Sequence, residues 1–222
     1  MSILRDRVAI RGKPIVKVFE HSEGGLAAWK LLLVAKDVLT PEQYNAEVDR
    51  IMSDPLMTHI KRKPQTWWQK ILKLPGDPMV SLWHNIVTDQ GDALIADIMS
   101  QTPARQKADN THCWTICGTA YSGTTPKTRI WVVTPTGSSQ LQDATYPKQK
   151  GAFGAANDNT TQYRVTFAPG AFGTVTINEA LMATGSSSGA GDSLTYGQVS
   201  PAASVTALDS LQIQWEITYL GA

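Results

Sequence analysis

The sequence predicts a mainly β protein: an antiparallel, jelly-roll-like β-sandwich carrying a mixed, partly helical N-terminal extension. Two observations lead there. Leu211, Ile213, Trp215, Ile217 and Tyr219 alternate strictly with Gln212, Gln214, Glu216 and Thr218. That period of two gives a strand one apolar and one polar face. A strand about 34 Å long with one apolar face needs a second layer over it, as in a sandwich or barrel. Composition also changes along the chain. Residues 1–110 hold 15 Lys/Arg, 13 Asp/Glu and 5 Gly, whereas 111–222 hold 5, 6 and 12. A charged, helix-compatible part followed by a Gly-rich, nearly uncharged part reads as two structural regimes.

Taken in order, Ile15, Val16, Val18 and Phe19 suggest a short strand, and Ser22 to Gly25 a turn. Leu26 to Val38 fits strand and helix alternation equally well. Thr40-Pro41-Glu42-Gln43 is a capping box with Pro at the first helical position. Tyr44, Val48, Ile51 and Met52 then form one apolar stripe, which predicts a helix from Pro41 to Met52 ended by Asp54-Pro55. Pro75-Gly76-Asp77-Pro78 breaks the chain. The predicted division is therefore 1–80, a charged and partly helical region, and 81–222, the sandwich. Trp83 to Thr88 suggests a strand. A helix at about 89–100, capped by Thr88 or Asp89, would bury Leu94, Ile95, Ile98 and Met99. Beyond a polar link, strands are expected at 112–119, 128–134, 162–168, 172–178, 192–199 and 204–220.

Net charge is +1, which points to no particular charged partner. No apolar run approaches the ~20 residues of a membrane-spanning helix. Met1 to Arg11 carries Arg5, Arg7 and Arg11 with no apolar segment after it, so no signal peptide is expected. Two cysteines make no disulfide framework and suit a reducing cytoplasm.

Candidate chemistry is sparse. Gly185-Ser186-Ser187-Ser188-Gly189 has the letters of a nucleophile elbow, but that motif requires a strand before it and a helix after it; a Ser/Gly loop is expected. Cys113 and Cys117, on one strand, would stand ~13 Å apart, too far to share a metal ion or a disulfide, and read as buried thiols. His112, next to Cys113, completes only a superficial likeness to a metal cluster, and His21, His59 and His84 are scattered with no ligand or triad spacing. Asn157-Asp158-Asn159 lacks a second acidic partner for calcium and reads as a turn. No catalytic, cofactor or metal site is expected. The feature that stands out is Lys61, Arg62, Lys63, Trp67, Trp68, Lys70 and Lys73, free of acidic residues from 61 to 73. These residues suit a protein interface with tryptophan anchors and a charged rim. A solvated charged face with a Trp in the core is the plain alternative. Nucleic acid is disfavoured by the balanced charge.

Residues 85–220 also carry features in a recognisable order. Asn85-Ile86-Val87-Thr88-Asp89-Gln90-Gly91 leads into the helix Ala93-Leu94-Ile95-Ala96-Asp97-Ile98. Trp114-Thr115-Ile116-Cys117-Gly118-Thr119 precedes Gly123-Thr124-Thr125-Pro126. Asn178-Glu179-Ala180-Leu181 and the closing strand from Leu211 follow. This order resembles a group of tailed-bacteriophage virion proteins. The loop reading Gly118-Thr119-Ala120-Tyr121-Ser122-Gly123 and the absence of a Gly after Ala180 depart from that group's pattern. The resemblance implies a non-enzymatic structural component, a head decoration (cement) or neck (collar) protein, in the virion and synthesised in the host cytoplasm. Its implied partners are capsid, portal/neck or tail subunits and further copies of itself, with no membrane and no cofactor. Residues 1–80 would then be a docking arm ordered against neighbouring subunits. The alternative from another class is a tail-fibre receptor- or glycan-binding module with Tyr121, Trp131 and Tyr196 as an aromatic platform.

Overall fold

In the computed structural model, residues 9–82, 86–100, 102–109, 111–136, 146–152, 154 and 156–220 are described. The strands are β1 (Ala9–His21), β2 (Thr58–Ile60), β3 (Val80–Leu82), β4 (Ile86–Val87), β5 (Trp114–Gly118), β6 (Lys148–Gln149), β7 (Thr160–Phe167), β8 (Val175–Ala183), β9 (Ser193–Val205) and β10 (Ser210–Leu220). The helices are α1 (Glu23–Val34), α2 (Pro41–Ser53), α3 (Trp67–Ile71) and α4 (Asp89–Ile98). Two antiparallel sheets form the sandwich. One runs β2-β1-β10-β7-β6, with β3 also on β1; the other runs β4-β9-β8-β5. The mainly β, sandwich prediction holds.

β10 behaves as its alternation requires. Leu211, Ile213, Trp215 and Ile217 are buried in the core between the sheets, with Tyr219 at its edge. They meet Val165 and Phe167 of β7 and Ile177, Ala180 and Met182 of β8. The indole of Trp215 donates from Nε1 to the Thr115 hydroxyl on β5 at 2.9 Å, tying one sheet to the other.

The division near residue 80 is corrected. β1 lies upstream of it and pairs with the whole of β10, from Ala9 opposite Leu220 to Phe19 opposite Ser210. The described residues of this region, 9–80, therefore do not stand apart from the sandwich as an arm: Val16 and Val18 are core residues. Gly12 and Pro14 read as breakers in isolation, yet long-range pairing with β10 overrides that local weakness.

The helices of this region also pack on their own chain. Ser22 is the N-cap of α1 rather than part of a turn, and its hydroxyl accepts from the Gly25 amide. Gly25 is needed for closeness: a Cβ there would lie 2.2 Å from the Met57 carbonyl oxygen. α2 has its predicted capping box, with Thr40 and Gln43 exchanging bonds. Its stripe of Tyr44, Val48 and Ile51 packs on Trp29 and Leu32 of α1 and on Ala168 after β7. Arg164 of β7 pairs with Asp49 of α2 at 2.7 Å.

Tyr44 is the weak point of that cluster. Its hydroxyl is buried with no hydrogen-bond partner among the described residues, and burial pushes its pKa up to about 12. Tyr44→Phe is expected to stabilise the protein by about 1 kcal/mol, because an unsatisfied buried hydroxyl is removed. A denaturant midpoint measures it. The pH dependence has a definite sign. With the folded pKa above the ordinary 10.0, the stability is complete below about pH 10 and falls as pH rises toward about 12. The substitution should flatten that alkaline decline.

Other elements differ from expectation in detail. Of the predicted Trp83–Thr88 strand, β4 is present and residues 83–85, His84 among them, lie outside the described residues. In α4, Thr88 caps and Leu94 is buried, but Ile98 and Met99 are exposed at the helix end. Residues 128–134 form no strand, for a reason found in the Glu179 side chain below.

Candidate functional site: a docking surface

Between β2 and β3, both paired with β1, the chain leaves the sheet as a protrusion over residues 61–79. Its stem is held by backbone bonds: Met79 N–H to the Lys61 carbonyl at 2.7 Å and Lys63 N–H to the Asp77 carbonyl at 2.8 Å. Arg62 Nη1 donates to the Gly76 carbonyl at 2.9 Å, and Gln65 Nε2 to the Leu74 carbonyl at 2.6 Å. Gly76 is required there, since a Cβ would stand 2.3 Å from the Lys63 oxygen. At the base, Lys61 forms an ion pair with buried Asp209 at 3.0 Å, fixing the protrusion to the body.

The tip is the short helix α3. Thr66 and Gln69 form a second capping box, and Gln69 Nε2 also bonds Asp77 at 3.1 Å. Lys73 takes a positive φ of 51° to end the turn. So ordered a tip is built to hold a shape, yet it encloses no core of its own. Trp67 and Trp68 are 64% and 65% exposed, their rings 4.3 Å apart, and Ile71, Leu72 and Leu74 are exposed beside them. Neither tryptophan is tucked into the sandwich. Lys63, Lys70 and Lys73 are exposed around this patch, and none forms an ion pair among the described residues. The predicted residues are thus sorted by role. Lys61 and Arg62 hold the stem, while Trp67, Trp68, Lys63, Lys70 and Lys73 form the accessible surface. Ile71, Leu72 and Leu74 complete it; their exposure could not be read from the sequence, where apolar residues are expected inside.

The remaining candidates fall elsewhere. Ser186, Ser187 and Ser188 lie exposed in the hairpin loop joining β8 to β9, with a strand and not a helix after it. Cys113 and Cys117 are buried free thiols whose pKa values burial pushes up. His112 bonds Asp109 at 3.0 Å, and Asn157 turns the chain with φ 68°. No group of His, Cys, Asp or Glu among the described residues is arranged to hold a metal. Sequence reading missed a Ser–His contact between Ser210 and His21, at 2.7 Å. Ser210 is fully buried, so it meets no substrate, and burial lowers the His21 pKa. Of the aromatic platform, Tyr196 is core: it is fully buried, with Tyr121 stacked on it at 5.6 Å.

The motif residues Gly118 and Glu179 face each other across β5 and β8. Glu179 is fully buried. Its Oε1 accepts from the amides of Val133 and Thr134 at 2.8 and 3.1 Å, and its Oε2 from the Tyr196 hydroxyl at 2.7 Å. Only a glycine fits opposite, because a Cβ on Gly118 would lie 2.2 Å from Oε1. Asn178 donates to the Thr119 carbonyl at 2.7 Å. Two of the amides in 128–134 thus serve a carboxyl side chain instead of a neighbouring strand, which is why that stretch is irregular.

No protein-family model, curated protein or solved structure matches this chain.

Proposed function

We propose that the protein is a non-enzymatic structural subunit of a tailed-phage particle, docking through its 61–79 protrusion onto another virion subunit. One observation carries the reading: two tryptophans are held about two-thirds exposed on a doubly braced tip. Exposed aromatics cost solubility and are worth ordering only if a partner covers them. Lys63, Lys70 and Lys73, without ion pairs among the described residues, define the partner's chemistry as an apolar recess edged by carboxylates. The order of motifs from Asn85 to Tyr219 supports the virion assignment. Capsid, portal/neck or tail subunits are the partners, with further copies of the chain beside it, as a decoration or collar protein. Docking is by the braced tip on an integral sandwich, not by a separate arm.

A photoreactive phenylalanine in place of Trp68 tests this. In irradiated particles it is expected to crosslink to a different virion protein, at a site rich in Asp or Glu. Crosslinks only to DNA or lipid, or none at all, would overturn the proposal.

A further inference from the structure

A second unassigned feature lies at the other side of the core. Between the two sheets, beneath α4, is a partly open cavity of about 240 Å³. Its wall is mostly apolar: Leu94 and Ile95 of α4, Leu194 of β9, Ile217 of β10, and Ala108 of the link between α4 and β5. Of the hydroxyl-bearing side chains in the wall, Thr161 is bonded to the Tyr219 hydroxyl, and Tyr163 lies beside them. Lys107 also lines the cavity; it is exposed and forms no ion pair among the described residues. Protein interiors seldom leave such a volume unfilled. An enclosed apolar cavity of ~150 Å³ is already enough to take up benzene. This one is larger and opens to solvent, and Lys107 is the one cationic side chain among its described lining residues.

From this juxtaposition we propose that the cavity binds a medium-chain carboxylate, its alkyl chain between the sheets and its carboxylate paired with Lys107. Chemically it needs an unbranched apolar body and a single anionic head, which fits the lining: one cation, three hydroxyl-bearing side chains (Thr161, Tyr163 and Tyr219) and otherwise hydrocarbon. The site is independent of the docking reading, since it shares no residue with the protrusion.

Calorimetric titration of the full chain with hexanoate, octanoate and decanoate tests it, alongside methyl NMR of the unmodified protein. Affinity is expected to rise about fourfold per added CH₂ until the cavity is filled. The shifted methyls should be those of Leu94, Ile95, Leu194 and Ile217. Lys107→Met should weaken octanoate about three- to fivefold and leave octanol unchanged. Ile98→Trp, at a partly exposed position in the cavity wall, should abolish binding of both while the melting temperature holds. No binding at millimolar ligand would overturn the proposal. So would shifts confined to Ile71, Leu72 and Leu74, or equal affinity in Ile98→Trp.

Discussion

Trp215→Ala is expected to lower the unfolding free energy by about 3–5 kcal/mol, the usual range for truncating a buried tryptophan or phenylalanine. Trp215 is fully buried. It lies on β10 between Pro14 of β1 and Tyr163 of β7, and its indole N–H reaches Thr115 in the opposite sheet at 2.9 Å. Truncation therefore opens a cavity and strands the Thr115 hydroxyl in a dry environment, two costs that add. Gln214 sits on the other face, half-buried, with its amide bonded to Glu216 at 3.1 Å. Gln214→Ala should cost less than about 1 kcal/mol. Urea denaturation of the two variants separates the cases, and comparable losses would contradict the assignment of faces.

Glu179→Ala should cost about 2–3 kcal/mol. It leaves the buried hydroxyl of Tyr196 without its acceptor, a loss worth about 1–3 kcal/mol, and frees the amides of Val133 and Thr134, which lie in exposed residues. Tyr196 in turn supports Tyr121 and receives the Ser122 amide at 3.3 Å, so the loss should spread into the 119–136 segment. Glu179→Gln offers a sharper comparison. Its carbonyl oxygen can still accept from both amides, and its NH₂ can donate to the Tyr196 oxygen. It should retain most of the stability. Hydrogen exchange at Val133 and Thr134 reports the difference directly: strong loss of protection in Ala, little in Gln. Equal, small effects would mean that the carboxyl does not organise this segment.

What the sequence disclosed depended on how local the signal was. β10 was legible because five apolar residues at period two need only each other to be recognised, and α2 because a capping box and a stripe lie within four turns. β1 was underestimated, since Gly12 and Pro14 hide a strand whose partner is 200 residues away. The five prolines from Pro41 to Pro78 argue against a compact region only if their places are unknown. Pro41 starts α2, Pro55 follows its C-cap, and Pro64, Pro75 and Pro78 shape the protrusion. The candidate surface was half legible. Basic and aromatic residues announced an interface, but the bracing by Gln65, Gln69 and Asp77 and the exposure of Leu72 and Leu74 are tertiary facts. The apolar cavity, assembled from four strands, α4 and the intervening links, left no continuous trace.

The most direct measurement of the docking claim is the copy number of a Trp67→Ala/Trp68→Ala variant in purified particles. The variant should fold with an unchanged melting temperature, because neither side chain enters the core. Buried tryptophan anchors at interfaces are worth about 2 kcal/mol or more each, so incorporation should fall at least about tenfold. Neutralising any one of Lys63, Lys70 or Lys73 should reduce it by less than about fivefold, as exposed ion pairs contribute little. Incorporation of the double variant at the normal copy number would show that the protein is held in the particle by some other face.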